Sequence, residues 1–348
     1  MVINHFGQFT TRRIGTDRYH LSPLIGDSRG LRVSCQEMLK SAADLAKVRS
    51  LFFPSLAKMI EDVFQQRQTL YADKSTPLED QVYDFYSRES ASGEQLDSKR
   101  LDNFLNHIGK LEEAVRKLKM GSGYKGVFAQ INPQWAKTHS LKDRVPLVEW
   151  TKVARSELWV AFYHFDLLAE LQSLNSRDYP GAKSIEKRVY IHVKSPIEKH
   201  GIKIAKFLVE QFEGKYGFSY FKMVGPGASN RFDTIVAYCD QSVAARTLIG
   251  NLSQNRSLGS ALAGGSSPGV KEVSFCPGVG YADNVGSSYG NTLAKCVASG
   301  LGKLRSEEAT TANLPKEHLL CVFFENVKDA MDSQNISLQS PYLFYRVQ

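Results

Sequence analysis

The sequence predicts an α+β protein: an N-terminal helical region followed by a ferredoxin-like βαββαβ antiparallel sheet, with C-terminal helices after it. Three observations carry that expectation. Apolar residues recur at three- and four-residue spacings through much of residues 33–118. Between residues 188 and 276, short alternating apolar runs are interleaved with two amphipathic stretches. Beyond residue 290 the helical spacing returns.

Size and composition set the bounds. A chain of 348 residues has a prior of about two domains. The expected division is a poorly ordered lead over 1–30, a mainly helical domain over 31–180 and an α+β domain over 185–348. The net charge of +8 allows an acidic partner without identifying one. Lys and Arg are dispersed, with no block of five like charges, so a nucleic-acid or membrane-binding tail is not favoured. The five cysteines show no CxxC spacing, so neither a disulfide framework nor a zinc site is indicated. No apolar run reaches bilayer length, and residues 1–13 lack a signal-peptide h-region. A reducing, cytoplasmic setting is expected; export by a route with a non-hydrophobic leader is compatible with the sequence.

In chain order, Leu45, Val48, Phe52, Leu56, Ile60 and Phe64 predict helix within 33–72, begun or kinked at Pro54. Val82, Phe85 and Tyr86 share one side of a short helix over 78–86. A polar linker at 90–98 precedes a helix over 101–118 that ends near Gly121. Residues 121–145 read as strand and loop, and 148–174 as a long apolar helix. Pro180 and Gly181 mark a linker.

In the second half, residues 188–194 alternate, with Val189, Ile191 and Val193 opposite Arg188, Tyr190, His192 and Lys194. A helix near 200–213, a strand at 218–224, a Gly-Pro-Gly loop and a strand at 231–239 follow. Asp240 is placed to cap a helix over 241–254. A Gly/Ser-rich loop leads to a strand at 271–276, and the glycine-rich stretch from Cys276 to Gly290 reads as a flexible segment. Helices at 291–304 and 316–331 complete the chain.

The chemistry-bearing residues lie where strands should be. His192 shares a face with Arg188, Tyr190 and Lys194, and can protonate a leaving group or hydrogen-bond a phosphate oxygen. The plainer reading is a solvated strand face. Lys222 sits with Tyr220 and Val224 on a neighbouring strand; a lysine desolvated there can act as a base, whereas one that snorkels to water is structural. Arg231 follows the Gly-Pro-Gly loop and can hold a phosphate together with loop N–H groups. Asp233 is placed to pair with Arg231 or Lys222. No GxSxG, HExxH, GxxxxGK[ST] or GxGxxG pattern points elsewhere, and residues 231–238 lack the aromatic RNP pattern of an RNA-binding sheet.

The runs Tyr190-Ile191-His192-Val193, Phe221-Lys222-Met223-Val224-Gly225-Pro226 and Asp233-Thr234-Ile235-Val236-Ala237-Tyr238 resemble the HopA-type bacterial type III effector family. Relatives of that family act as phosphoserine/phosphothreonine lyases in class V lanthipeptide (LanY-type) biosynthesis. Pro277-Gly278-Val279-Gly280-Tyr281-Ala282-Asp283, Ser288-Tyr289-Gly290, Val82-Tyr83-Asp84-Phe85-Tyr86 and the terminal Ile336 to Leu343 are similar too. The likeness spans roughly 78–348 and is dense only over 187–302.

It implies β-elimination of phosphate from phosphoserine or phosphothreonine in a peptide or protein. On that basis Lys222 is the base and His192 the acid. Arg231, with Lys194, Arg188, Lys295 and Tyr190, serves phosphate or substrate. No metal or organic cofactor is required. The partners implied are the phosphorylated substrate and a separate kinase, in a bacterial cytoplasm or, for an effector, a host cell. One departure is Leu293, which stands where lyase relatives carry a basic residue; Lys295 is the nearby substitute. The competing expectation is an effector that binds host proteins or a chaperone without chemistry. A basic domain that binds nucleic acid is the third.

Overall fold

The computed structural model describes residues 42–88, 98–117, 127–131, 159–164, 185–211, 218–226, 230–284, 289–308 and 315–343. The expected lead over 1–30, the Gly121 cap and the linker at Pro180 lie outside them. The architecture is α+β, as expected. Helices α1 (Ala42–Ser50), α2 (Pro54–Ala72), α3 (Leu78–Ser87) and α4 (Ser98–Lys117) come first. Strands β1 (Val127–Ile131), β2 (Trp159–His164) and β3 (Lys187–Ile191) follow, then α5 (Ile197–Gln211), β4 (Phe218–Val224) and β5 (Ile235–Cys239). The chain continues through α6 (Ser242–Gln254), the single turn α7 (Arg256–Gly259), β6 (Lys271–Glu272) and β7 (Val279–Asp283). It ends with α8 (Tyr289–Glu308) and α9 (Lys316–Ser333).

Among the described residues the strands form one sheet in the order β1-β2-β4-β5-β3-β7-β6, antiparallel at every pairing. Its centre, β4-β5-β3-β7, has the neighbour order of a ferredoxin-like unit built on β3-α5-β4-β5-α6-β7. The expected fourth strand over 271–276 shrinks to Lys271–Glu272, and the strand that closes the unit is β7, within the stretch expected to be flexible. Its glycines answer to packing: a Cβ on Gly280 would lie 2.6 Å from Val270 Cγ1 and 3.1 Å from the Lys271 carbonyl. Gly278 turns at φ +80°, a conformation costly to side-chain-bearing residues.

A second correction concerns 148–174, expected as one apolar helix. Residues 159–164 instead form β2, hydrogen-bonded between β1 and β4; the rest of that stretch lies outside the described residues. A short aromatic and apolar run cannot be assigned by periodicity alone, and here strand pairing on both sides decides it. A third is the cap of α6. Gln241, not Asp240, occupies the N-cap position without a side-chain bond, and the Glu186 carboxylate accepts the Ser242 N–H at 3.1 Å.

Side-chain alternation sends each central strand into two cores. Val189, Ile191, Phe221, Met223, Ile235 and Ala237 pack under α5 and α6, with Phe104 and Ile108 of α4. On the opposite face Tyr190, Val236, Tyr238 and Ala282 meet α3 and α8, backed by α2 and α9. Helices therefore cover both faces of the central strands. Each buried aliphatic or aromatic side chain contributes roughly 1.5–3 kcal/mol, so both layers are needed to hold the sheet. Pro54 opens α2, where its missing N–H costs nothing. No described helix is long and apolar enough to cross a membrane.

Candidate active site

The second face carries Arg188, Tyr190 and Lys222, three of the residues singled out in the sequence. Register fixes their arrangement: Arg188 lies opposite Tyr238, Tyr190 opposite Val236, and Lys222 opposite Val236 from the other side. Arg188, Tyr190, Tyr238 and Lys222 thus share one surface of three adjacent strands. Lys222 is half-buried, whereas the other three are buried.

Lys222 hydrogen-bonds the Tyr238 phenol. The Arg188 guanidinium lies 5.1 Å from the Tyr238 ring centroid, a cation–π contact, and hydrogen-bonds Tyr190. Its Nε and Nη2 donate to Asn284 Oδ1 at 2.9 and 2.6 Å, and Asn284 Nδ2 donates to the Ile185 carbonyl. The acceptor for those two N–H groups is a neutral amide. Burial pushes the Tyr238 phenol up, but the Lys222 and Arg188 charges outweigh it and bring the phenol below its ordinary range. Tyr190, Tyr86 and Tyr289 move the other way, raised chiefly by burial.

His192 is the first residue beyond β3. Its backbone is fixed by Gly278 and Ala263, its Nδ1 is 2.9 Å from the Gly264 carbonyl, and its ring meets Phe232 edge-on. At 2% exposure it is not the solvated strand residue of the plainer reading. With strands about 4.8 Å apart and a rise near 3.3 Å per residue, its Cα stands roughly 12 Å from that of Lys222.

Arg231 was expected at a phosphate. It is 2% exposed, donates from Nε and Nη2 to the two Asp233 carboxylate oxygens at 2.8 and 3.2 Å, and reaches Tyr83 Oη at 2.9 Å. The clasp joins the start of the β5 segment to α3, and the Phe232 N–H donates to the Ser87 carbonyl beside it. A carboxylate thus takes the place expected for an anion. Lys194 and Lys295 are both exposed, the latter 3.8 Å from Glu79 on α3. Leu293 is fully buried, so a basic side chain there would have to displace core packing.

Sequence reasoning assigned no role to Tyr238 or Asn284. Pairing β3 with the 231–239 run brings Tyr238 to the Arg188 face, but Asn284 needs the β7 register, and β7 was read as flexible. Among the described residues no cluster of three His, Cys, Asp or Glu is placed to hold a metal.

No family model and no curated protein matches the sequence. Among solved structures, the chain is similar to an effector protein from Pseudomonas syringae pv. tomato strain DC3000, with a TM-score of 0.53 and 15% identity, covering 86% of this chain and 99% of that one. It is also similar to an effector protein from Pseudomonas syringae pv. syringae strain 61, with a TM-score of 0.54 and 14% identity, covering 85% and 100%. At such identities the shared property is the fold.

Proposed function

We propose that the chain is a phosphoserine/phosphothreonine lyase on an effector-type fold, with Lys222 as the base. The observation that carries this reading is the set of Lys222, Tyr238 and Arg188 on one sheet face, two cations around a phenol with Lys222 the more exposed. In the reaction, the lysine amine removes the α-proton, and the C–H electron pair forms the Cα=Cβ bond. The Cβ–O bond breaks, and its electrons leave with phosphate. No water is consumed, and the product is dehydroalanine or dehydrobutyrine. Positive charge beside the substrate stabilises both the enolate-like carbonyl and the departing phosphate. Arg188 supplies such charge within the site; His192 remains the proposed acid.

Incubation of the full chain with a phosphothreonine peptide is expected to release inorganic phosphate and leave a peptide lighter by H3PO4. Lys222→Ala is expected to abolish release while far-UV circular dichroism stays unchanged. Product carrying a free threonine hydroxyl would mean hydrolysis and sink the proposal, as would full activity in Lys222→Ala. A second reading, an effector that only binds host proteins, is favoured by the description of both structural neighbours as effectors. It predicts no turnover of any phosphopeptide by the folded chain.

A further inference from the structure

We propose that the outward face of α5 is a peripheral docking surface for an anionic membrane, formed by Lys199, Lys203 and Lys206 with Lys194 and Arg256 beside them. Ile197, Ile204 and Leu208 turn the other side of α5 into the core under the sheet. At 3.6 residues per turn, Lys199, Lys203 and Lys206 fall within about 60° of one another on the side away from that core. All three are exposed, as are Lys194 and Arg256. A rise of 1.5 Å per residue sets Lys199 and Lys206 about 10 Å apart along the helix.

The flanking cations are drawn to the same place. Lys203 Nζ donates to the Ser257 carbonyl of α7, the residue after Arg256. The Lys194 N–H donates to the Ala261 carbonyl at 2.9 Å, just beyond α7. His200 lies among them: burial, with the charges of Lys199, Lys194 and Lys203, holds its imidazole below its ordinary range.

Carboxylates do not offset this charge. On the helices of the other sheet face, Lys58 meets Asp62, Lys303 meets Asp329 and Lys328 meets Asp332. Among the described residues no carboxylate pairs with Lys194, Lys199, Lys203, Lys206 or Arg256. Of the two acids on α5, Glu198 is held by Arg100 of α4 at 2.7 and 3.3 Å, and Glu210 stands one turn beyond Lys206. Residues 241–270, which include α6 and α7, contain no Asp or Glu. Part of the net charge of +8 is thus gathered on one face, although the basic residues are dispersed in sequence.

The chemistry of the cations selects the occupant. Four of the five are lysines, hydrated point charges on flexible stems; a site for a single phosphate or carboxylate is better served by arginine forks. No Phe, Tyr or Trp is exposed on α5, so the stacking platforms of a single-stranded nucleic-acid site are missing. The outward side of a helix is convex and gives a peptide no groove. Four or more basic residues on an amphipathic helix suit the diffuse charge of an anionic leaflet, each adding about fivefold to partitioning. No apolar residue falls within the arc of the three lysines, so attachment is electrostatic, without insertion. The helix lies on the sheet face opposite Lys222, Tyr238 and Arg188, so this surface stands apart from the proposed lyase site and does not depend on it.

The test is co-sedimentation of the full chain with large unilamellar vesicles. At about 0.1 M salt it is expected to bind phosphatidylcholine containing about 30% phosphatidylserine but not phosphatidylcholine alone, and to be released at about 1 M salt. Lys199→Gln/Lys203→Gln/Lys206→Gln is expected to weaken partitioning about a hundredfold with far-UV circular dichroism unchanged. Lys58→Gln/Lys303→Gln/Lys328→Gln removes the same charge from α2, α8 and α9, and is expected to stay within about threefold of the parent. No binding to the anionic vesicles, or equal losses in the two triple variants, overturns the proposal. Binding of poly-glutamate or duplex DNA through the three α5 lysines, without vesicle binding, also overturns it and assigns the face to a protein or nucleic-acid partner.

Discussion

Arg231 is withdrawn from water, yet two residues along the same segment Asp233 meets its charge with both oxygens, and Tyr83 closes the third side. Such a clasp adds little net stability over an apolar pair but becomes costly once half of it is removed. Arg231→Met and Asp233→Asn are each expected to lower the unfolding free energy by roughly 3–5 kcal/mol in urea titrations, and Arg231→Met/Asp233→Leu to recover much of that loss. A loss below about 1 kcal/mol in both single variants would show that the pair is not desolvated. The pair also shows how far single residues were legible. The sequence flagged both partners and left open whether the anion facing Arg231 was a phosphate or Asp233, because alternation gives a face and not a rotamer. Lys222 and Arg188 were assigned to a face correctly for the same reason. Tyr238 was overlooked because its value comes from what lies across the strand, which a linear pattern does not contain.

At the level of elements, α8 is the helix on which both terminal layers converge, and its glycines decide how closely. A Cβ on Gly300 would sit 2.7 Å from Val327 Cγ2, 2.8 Å from the Val327 amide nitrogen and 3.1 Å from its Cα. Backbone cannot step aside as a side chain can, so α9 would have to shift. Gly302, one helical side away, is exposed with nothing within 4 Å of such a Cβ. Gly300→Ala is therefore expected to destabilise by about 1–2 kcal/mol net of its better helix propensity, and Gly302→Ala to stabilise by about 0.5–1 kcal/mol. Urea midpoints of the two variants should move in opposite directions; equal shifts would mean that the α8–α9 approach is not close. Helices such as α8 and α9 were legible because long apolar periodicity is unambiguous. β7 was not, since its glycines read as flexibility until the close approach of Val270 and Lys271 shows what they admit.

For the molecule as a whole, the centre of the sheet was legible and its continuation through β2 was not. Hairpin and crossover signals within 185–283 lead to the order β4-β5-β3-β7, and β1 falls within the strand and loop read over 121–145, but β2, which joins β1 to β4, lies in an aromatic run that was read as helix. That extension bears on how the chain unfolds. The second core combines Phe52, Ile60 and Tyr86 from before the expected boundary near residue 185 with Tyr190, Tyr289, Val297 and Phe324 from after it. Strand β2 hydrogen-bonds β4 across the same boundary. Cutting the chain there would expose both halves of a core and an open sheet edge, so neither half retains a sufficient burial term of its own. The three tryptophans, Trp135, Trp150 and Trp159, all precede the boundary, whereas Tyr190, Tyr238 and Tyr289 follow it and are buried. Tryptophan fluorescence, near-ultraviolet tyrosine dichroism and far-ultraviolet dichroism are therefore expected to report one urea transition with coincident midpoints. A tryptophan transition displaced from the tyrosine one by more than experimental error would instead establish two independently folding domains divided near residue 185.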